Sequence, residues 1–176
     1  MKKIVVSLAM IMAVGIAKAQ FSHSAGASLF LVSSETGDNS TCYGVTYFPK
    51  YSFGGLSVGV PLTVGFSGSV NSRSGASDGA SFTYQLPIVV DYNFGLGASE
   101  DSEGGIGGYV GVGYSAFSTS YVSTFSSGTL KANGPMGRAG VRFGIGEHIL
   151  SIGGSFLKGG GTEKANVIGI SALYSF

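Results

Sequence analysis

The amino-acid sequence predicts an all-β fold: one eight-stranded antiparallel up-and-down transmembrane β-barrel. Three observations predict it. Only 11% of the 176 residues are charged, against about 25% in an ordinary soluble domain, while 44% are hydrophobic and 31 are glycine. Apolar residues recur at every second position over most of the chain, which is the period of a strand and not of a helix. Beyond residue 19 no apolar run approaches the ~20 residues of a membrane helix, so a membrane can be crossed only by strands. The same composition excludes other classes. The chain is too apolar and too weakly charged for disorder. A formal net charge of +1 gives no electrostatic footprint for nucleic acid. The lone Cys42 excludes an internal disulfide framework.

Taken in order, the first element is not part of the fold. Met1-Lys2-Lys3 is a basic start, Ile4 to Ala17 is apolar, and Ala17-Lys18-Ala19 supplies a small-x-small cleavage pattern. Residues 1–19 therefore read as a cleaved secretory signal peptide, and Gln20 after the cleavage point excludes a lipoprotein cysteine. The mature chain 20–176 reads as a single domain. It keeps seven of the ten basic residues and all nine acids, a formal charge of −2. Strands are expected at 21–33, 41–53, 56–67, 81–94, 105–117, 136–146, 148–157 and 168–176. The clearest alternation places Leu56, Val58, Val60, Leu62, Val64 and Phe66 on one parity, with Ser57, Gly59, Pro61, Thr63, Gly65 and Ser67 on the other. Phe82, Tyr84, Leu86, Ile88, Val90, Tyr92 and Phe94 repeat the pattern, and Ile168, Ile170, Ala172, Tyr174 and Phe176 close it.

The connections alternate in length. Segments 54–55 and 147 are tight; 68–80 and 118–135 are long and rich in Ser, Gly and Thr, the composition of solvated loops. Short turns on the side of both termini and long loops opposite are the outer-membrane pattern, with the termini periplasmic. Segment 95–104 is longer than such a turn usually is. Pro49, Pro61 and Pro87 fall inside strands and each removes a ladder donor, which predicts bulges or local gaps.

A soluble sandwich alternates too, and two features choose against it. The polar parity carries mostly Gly, Ser, Ala and Thr, which suit the crowded bore of a narrow barrel better than an open solvent face. Its only strand charges are Lys50, Asp91, Arg138 and Arg142. On the apolar parity, Tyr43, Phe66, Phe82, Tyr84 and Tyr114 fall toward the long-loop ends; Tyr51, Phe53, Tyr92, Phe94, Tyr174 and Phe176 fall toward the short-turn ends. Two such bands match interfacial aromatic girdles.

With its terminal Ala172-Leu173-Tyr174-Ser175-Phe176 and its central Leu86-Pro87-Ile88-Val89-Val90-Asp91-Tyr92-Asn93-Phe94-Gly95, the mature chain resembles small bacterial outer-membrane β-barrel proteins. Among these it looks most like the single-domain barrels of Bacteroidota. The resemblance implies a bacterial outer-membrane location and outer-membrane lipids around the barrel. It also implies periplasmic chaperones and the barrel-assembly machinery as partners in biogenesis, with Tyr174 and Phe176 as the assembly signal. Larger members of the wider superfamily carry a peptidoglycan-binding domain after the barrel; none follows here, so stable cell-wall anchoring is not expected.

Candidate chemistry is sparse. Gly75-Ala76-Ser77-Asp78-Gly79 matches a nucleophile-elbow pattern, but no helical segment follows it, as that chemistry requires. His23 and His148 are expected at the periplasmic end on the lipid parity. Barrel enzymes such as lipid acyltransferases and omptin proteases use the extracellular rim, so no enzymatic activity is expected. Glu100, Asp101 and Glu103 read as a solvated turn, and Asn39-Ser40-Thr41 as an incidental glycosylation pattern. No metal or cofactor is expected. The best-motivated constellation is a lumen charge network of Lys50, Asp91, Arg138 and Arg142, since charges in a narrow bore must pair or stay hydrated. Asp91 is expected to pair with Arg142, with Lys50 or Glu147 as further members. The predicted role is a non-enzymatic structural or surface-exposed protein. The alternative is a narrow pore for ions or small solutes, opposed by inward Phe48, Tyr109 and Phe117.

Overall fold

Strands that are apolar on one side and small on the other can satisfy every backbone group only by closing on themselves. A computed structural model describes residues 20–33, 39–70, 77–98, 105–122, 127–160 and 165–176. The signal segment 1–19 and the acidic residues Glu100, Asp101 and Glu103 lie outside the described residues. The nine strand segments are β1 (Gln20–Ser33), β2 (Asn39–Phe53), β3 (Leu56–Gly59), β4 (Leu62–Val70), β5 (Ser77–Gly95), β6 (Ile106–Val122), β7 (Ser127–Ile145), β8 (His148–Lys158) and β9 (Asn166–Ser175). All pairings are antiparallel, and β1 pairs with both β2 and β9, which closes the sheet.

The expected count of eight strands becomes nine segments for one reason. Val60 and Pro61 interrupt a single stave, whose halves β3 and β4 both lie between β2 and β5. The barrel therefore has eight staves. Register continues across the break: Gly59 faces Val89 and Thr63 faces Gln85, which sets Pro61 opposite Pro87. On the other side Val60 N–H still donates to Pro49 O at 3.1 Å. The three prolines thus share one gap without a bulge. The register shift that does occur lies between Gly68 and Val70.

Tracing pairs once around the wall leads from Ser22 through Lys50, Gly59, Val89, Gly113, Met136, Leu157 and Val167 to Val32, ten residues further along β1. That stagger tilts the strands by roughly 40° in an eight-staved wall and leaves a bore that side chains fill.

The two parities segregate as alternation requires. Val45, Val64, Ile88, Val112, Ile168 and Ile170 face outward and are exposed, as are the aromatics Tyr43, Phe66, Tyr92, Phe94, Tyr174 and Phe176. Glycine at φ +60° in Gly54 and +62° in Gly146 opens the two tight turns, at the same end as both termini. A positive φ at that position matches the twist of the flanking strands.

The long loops contract. Of the expected 68–80 and 118–135, most residues belong to strands: β4 runs to Val70, β5 starts at Ser77, β6 runs to Val122 and β7 starts at Ser127. β5, β6 and β7 span 19, 17 and 19 residues, well beyond the ~9–11 that cross a bilayer. Their Ser/Thr/Gly content reads as loop in one dimension, but across the ladder Thr83 faces Thr119 and Ser120 faces Thr129. Ser77-Asp78-Gly79 opens β5, so the elbow-like pattern leads into a strand rather than a helix.

Candidate functional site

Every inward side chain is dictated by strand parity, so the lumen can be read layer by layer from the loop end to the turn end. At the loop end lies an apolar plug: Phe30, Val32, Cys42, Phe117, Leu157 and Val167, all buried, with Phe30 and Phe117 edge to face at 6.2 Å. At mid-height the bore turns to hydroxyls and amides. Thr46 bonds Ser28 and Thr63 at 2.6 Å each, Thr83 donates to Thr119 at 2.8 Å, and Gln85 Nε2 donates to Ser115 Oγ at 3.1 Å. A cavity of about 30 Å³ lies here, lined among others by Ser28, Thr46, Thr63, Gln85 and Ser155. It has room for one or two waters.

The charged layer occupies the turn end, and all four sequence-predicted charges point into it. Lys50 is 9%, Asp91 1% and Arg142 2% exposed. The pairing differs from the expected one. Asp91 Oδ1 lies 3.5 Å from Arg138 Nε, not against Arg142. Arg142 instead donates to Asn93 Oδ1 at 2.6 Å and to Gly97 O at 3.1 Å. Asn93 is itself anchored, donating through Nδ2 to Ser57 Oγ at 3.0 Å and Gly55 O at 3.2 Å. Register explains the change: Asp91 faces Gly111, and Gly111 faces Arg138, whereas Arg142 stands across Gly107, level with the β5 turn. Glu147 sits exposed in its turn, outside the layer.

Two rings complete the layer. The Arg138 guanidinium lies between the faces of Phe48 and Tyr109, 4.7 Å from each centroid. Arg142 lies 5.0 Å from the Tyr109 centroid and Lys50 Nζ 5.9 Å from that of Phe48. The result is an alternating stack, Lys50, Phe48, Arg138, Tyr109, Arg142, across the bore. Cation–π attraction of this kind is worth about 2 kcal/mol or more when the groups are desolvated. Glycines make the room: a methyl at Gly153 or Gly140 would overlap the Tyr109 ring, one at Gly59 the Phe48 ring, and one at Gly111 the Asp91 carboxylate. Sequence reasoning placed Phe48 and Tyr109 inside but missed their role, and missed Asn93 altogether. The available signal was parity, since Phe48 and Asn93 each lie two residues from a charge on the same face.

The outward site residues gather at the turn end as well. Phe176 N–H donates to His23 O at 3.1 Å, and the Phe176 ring stacks on His23 at 6.1 Å. His23 Nδ1 bonds Tyr47 Oη at 2.6 Å. Tyr174 packs against His148 at 5.0 Å. Both histidines are therefore built into interfacial aromatic clusters.

A closed antiparallel wall with a ten-residue stagger, an apolar exterior and a packed bore can be compared with solved structures. Neisserial surface protein A matches with a TM-score of 0.68 at 18% identity, covering 89% of this chain and 97% of the other. The fold is that of the small outer-membrane β-barrels. Ail of Yersinia pestis, solved with the heparin analogue sucrose octasulfate, matches at 0.60 and 16% identity, covering 90% and 99%. The N-terminal β-barrel domain of Pseudomonas aeruginosa OprF matches at 0.51 and 17%, covering 89% and 100%. No family model and no curated protein sequence matches the chain.

Proposed function

We propose that the mature chain 20–176 is a non-enzymatic protein of a bacterial outer membrane, a closed barrel that carries its surface on the extended strands β5, β6 and β7. The observation that carries this reading is the filled bore: an apolar plug, a hydrogen-bonded polar layer and a cation–aromatic stack succeed one another along its length. The apolar exterior with aromatics at both ends supports outer-membrane lipids as its surroundings. The placement of both histidines in interfacial clusters supports a non-enzymatic role. In this reading residues 1–19 are a signal peptide, and N-terminal sequencing of the exported protein should begin at Gln20. Tyr174 and Phe176 engage the barrel-assembly machinery, with periplasmic chaperones delivering the chain; deleting Phe176 should lower the amount of folded barrel in the membrane. The resemblance to the Bacteroidota single-domain barrels belongs to the same reading and rests on the terminal strand.

Conductance of the purified protein in planar bilayers tests the closed state. The expected trace has no discrete channel events. Reproducible unitary steps would overturn it in favour of a narrow pore for ions or small solutes, the reading that the polar mid-height cavity favours.

A further inference from the structure

The charges in the turn-end layer do not balance. Among the described residues, three cations (Lys50, Arg138, Arg142) and one carboxylate (Asp91) are gathered there. Even with Lys50 neutral, two guanidiniums that hold their charge at any physiological pH share one acid. Asp91 lies beside Arg138, which leaves Arg142 with neutral acceptors only, Asn93 Oδ1 and Gly97 O. Its Nε is buried without a hydrogen-bond partner. Rings stacked on a guanidinium attract it without cancelling its charge. An excess positive charge held inside a low-dielectric wall is costly until a counter-charge joins it.

We infer that the turn end of the lumen binds a small inorganic anion, of chloride size, beside Arg142 Nε. The size follows from the packing, because Tyr109 stacks on the Arg142 guanidinium and Gly97 lies against its terminal nitrogen, which leaves no room for a large oxyanion. A spherical ion also accepts N–H donors without a fixed lone-pair geometry. Both Asp91 carboxylate oxygens are buried without a donor, so the ion shares its site with water, which donates to Asp91 and to the ion alike. The site lies against the β5 turn at Gly97 and exchanges with the compartment at that end.

The rival source of negative charge is the chain itself, through Glu100, Asp101 and Glu103, which lie outside the described residues. One experiment separates the two. The folded mature chain in a non-ionic detergent is heated in chloride or in gluconate at one ionic strength, and unfolding is followed by circular dichroism. The wild-type midpoint should be higher in chloride, by on the order of 5 °C, and should saturate with chloride concentration. In Asn93→Asp a carboxylate stands where Arg142 now meets an amide oxygen, and the difference between salts should vanish. Equal wild-type midpoints in the two salts would overturn the inference. So would an undiminished chloride effect in Asn93→Asp, and so would a chloride effect that appears only after Glu100, Asp101 and Glu103 are replaced by amides. Should Asn93→Asp fail to fold, crystals of the wild type grown in bromide give the second test: an anomalous peak in contact with Arg142 supports the site, and none overturns it.

Discussion

At the loop end of the bore Phe30, Phe117, Leu157 and Val167 fill space with aliphatic and aromatic carbon; at the turn end Arg138 and Arg142 fill a similar cross-section with charge layered between rings. The first solution carries no desolvation cost and asks only for volume. The second desolvates several charges, so each group depends on the placement of the others. The two ends should therefore answer differently to conservative change: the plug tolerates a new shape of equal volume, and the stack does not tolerate a new shape of equal charge.

Arg138→Ala should have the largest effect. It strips Asp91 of its ion partner in a site where the carboxylate is 1% exposed, and it empties the space between Phe48 and Tyr109. A loss of about 3–5 kcal/mol is expected in urea unfolding from lipid vesicles. Arg138→Lys should recover little of that loss, because an ammonium cannot stack flat between two rings; full recovery would erase the distinction between the two layers. Leu157→Ala should cost about 2–5 kcal/mol in the same assay through the cavity it leaves, and Leu157→Met less than about 1.5 kcal/mol. A plug that suffers as much from Met as from Ala would show that it, too, is shape-specific. Gly153→Ala sets a methyl against the Tyr109 hydroxyl and should cost about 1–3 kcal/mol while leaving the plug intact, which nuclear magnetic resonance of the Phe117 ring can check. Smallest of all, a maleimide should modify Cys42 slowly in the folded barrel and rapidly in urea, since the thiol is fully buried within the plug. Fast labelling of the folded form would mean that the loop end opens.

Much of the wall was legible in the chain. Period two in Leu56–Phe66 and in Phe82–Phe94 fixes which side chains face lipid, because a strand has only two faces and one of them must be apolar throughout. The inward parity of Lys50 survived its neighbour Pro49 because the prolines share a gap and shift no register. The strand ends were not legible. Ser118 to Leu130 looks like loop until Thr83 is seen opposite Thr119 and Ser120 opposite Thr129, pairings set by partners far away in sequence. The site was half legible for a related reason. Parity sends Asp91, Arg138 and Arg142 inward, but which arginine meets the acid depends on the stagger between β5, β6 and β7.

Composition and alternation alone thus determined that this chain closes into a membrane barrel, which residues line it and that charge is scarce, since a lipid-facing parity cannot carry ionised groups. The tertiary structure decided the rest: that Asp91 takes Arg138 and leaves Arg142 to Asn93, that Phe48 and Tyr109 enclose a guanidinium, and that the bore divides into a dry end and a charged end. Those outcomes turn on relative height around a tilted, ten-residue stagger, and height is a property of the closed sheet that no single strand contains.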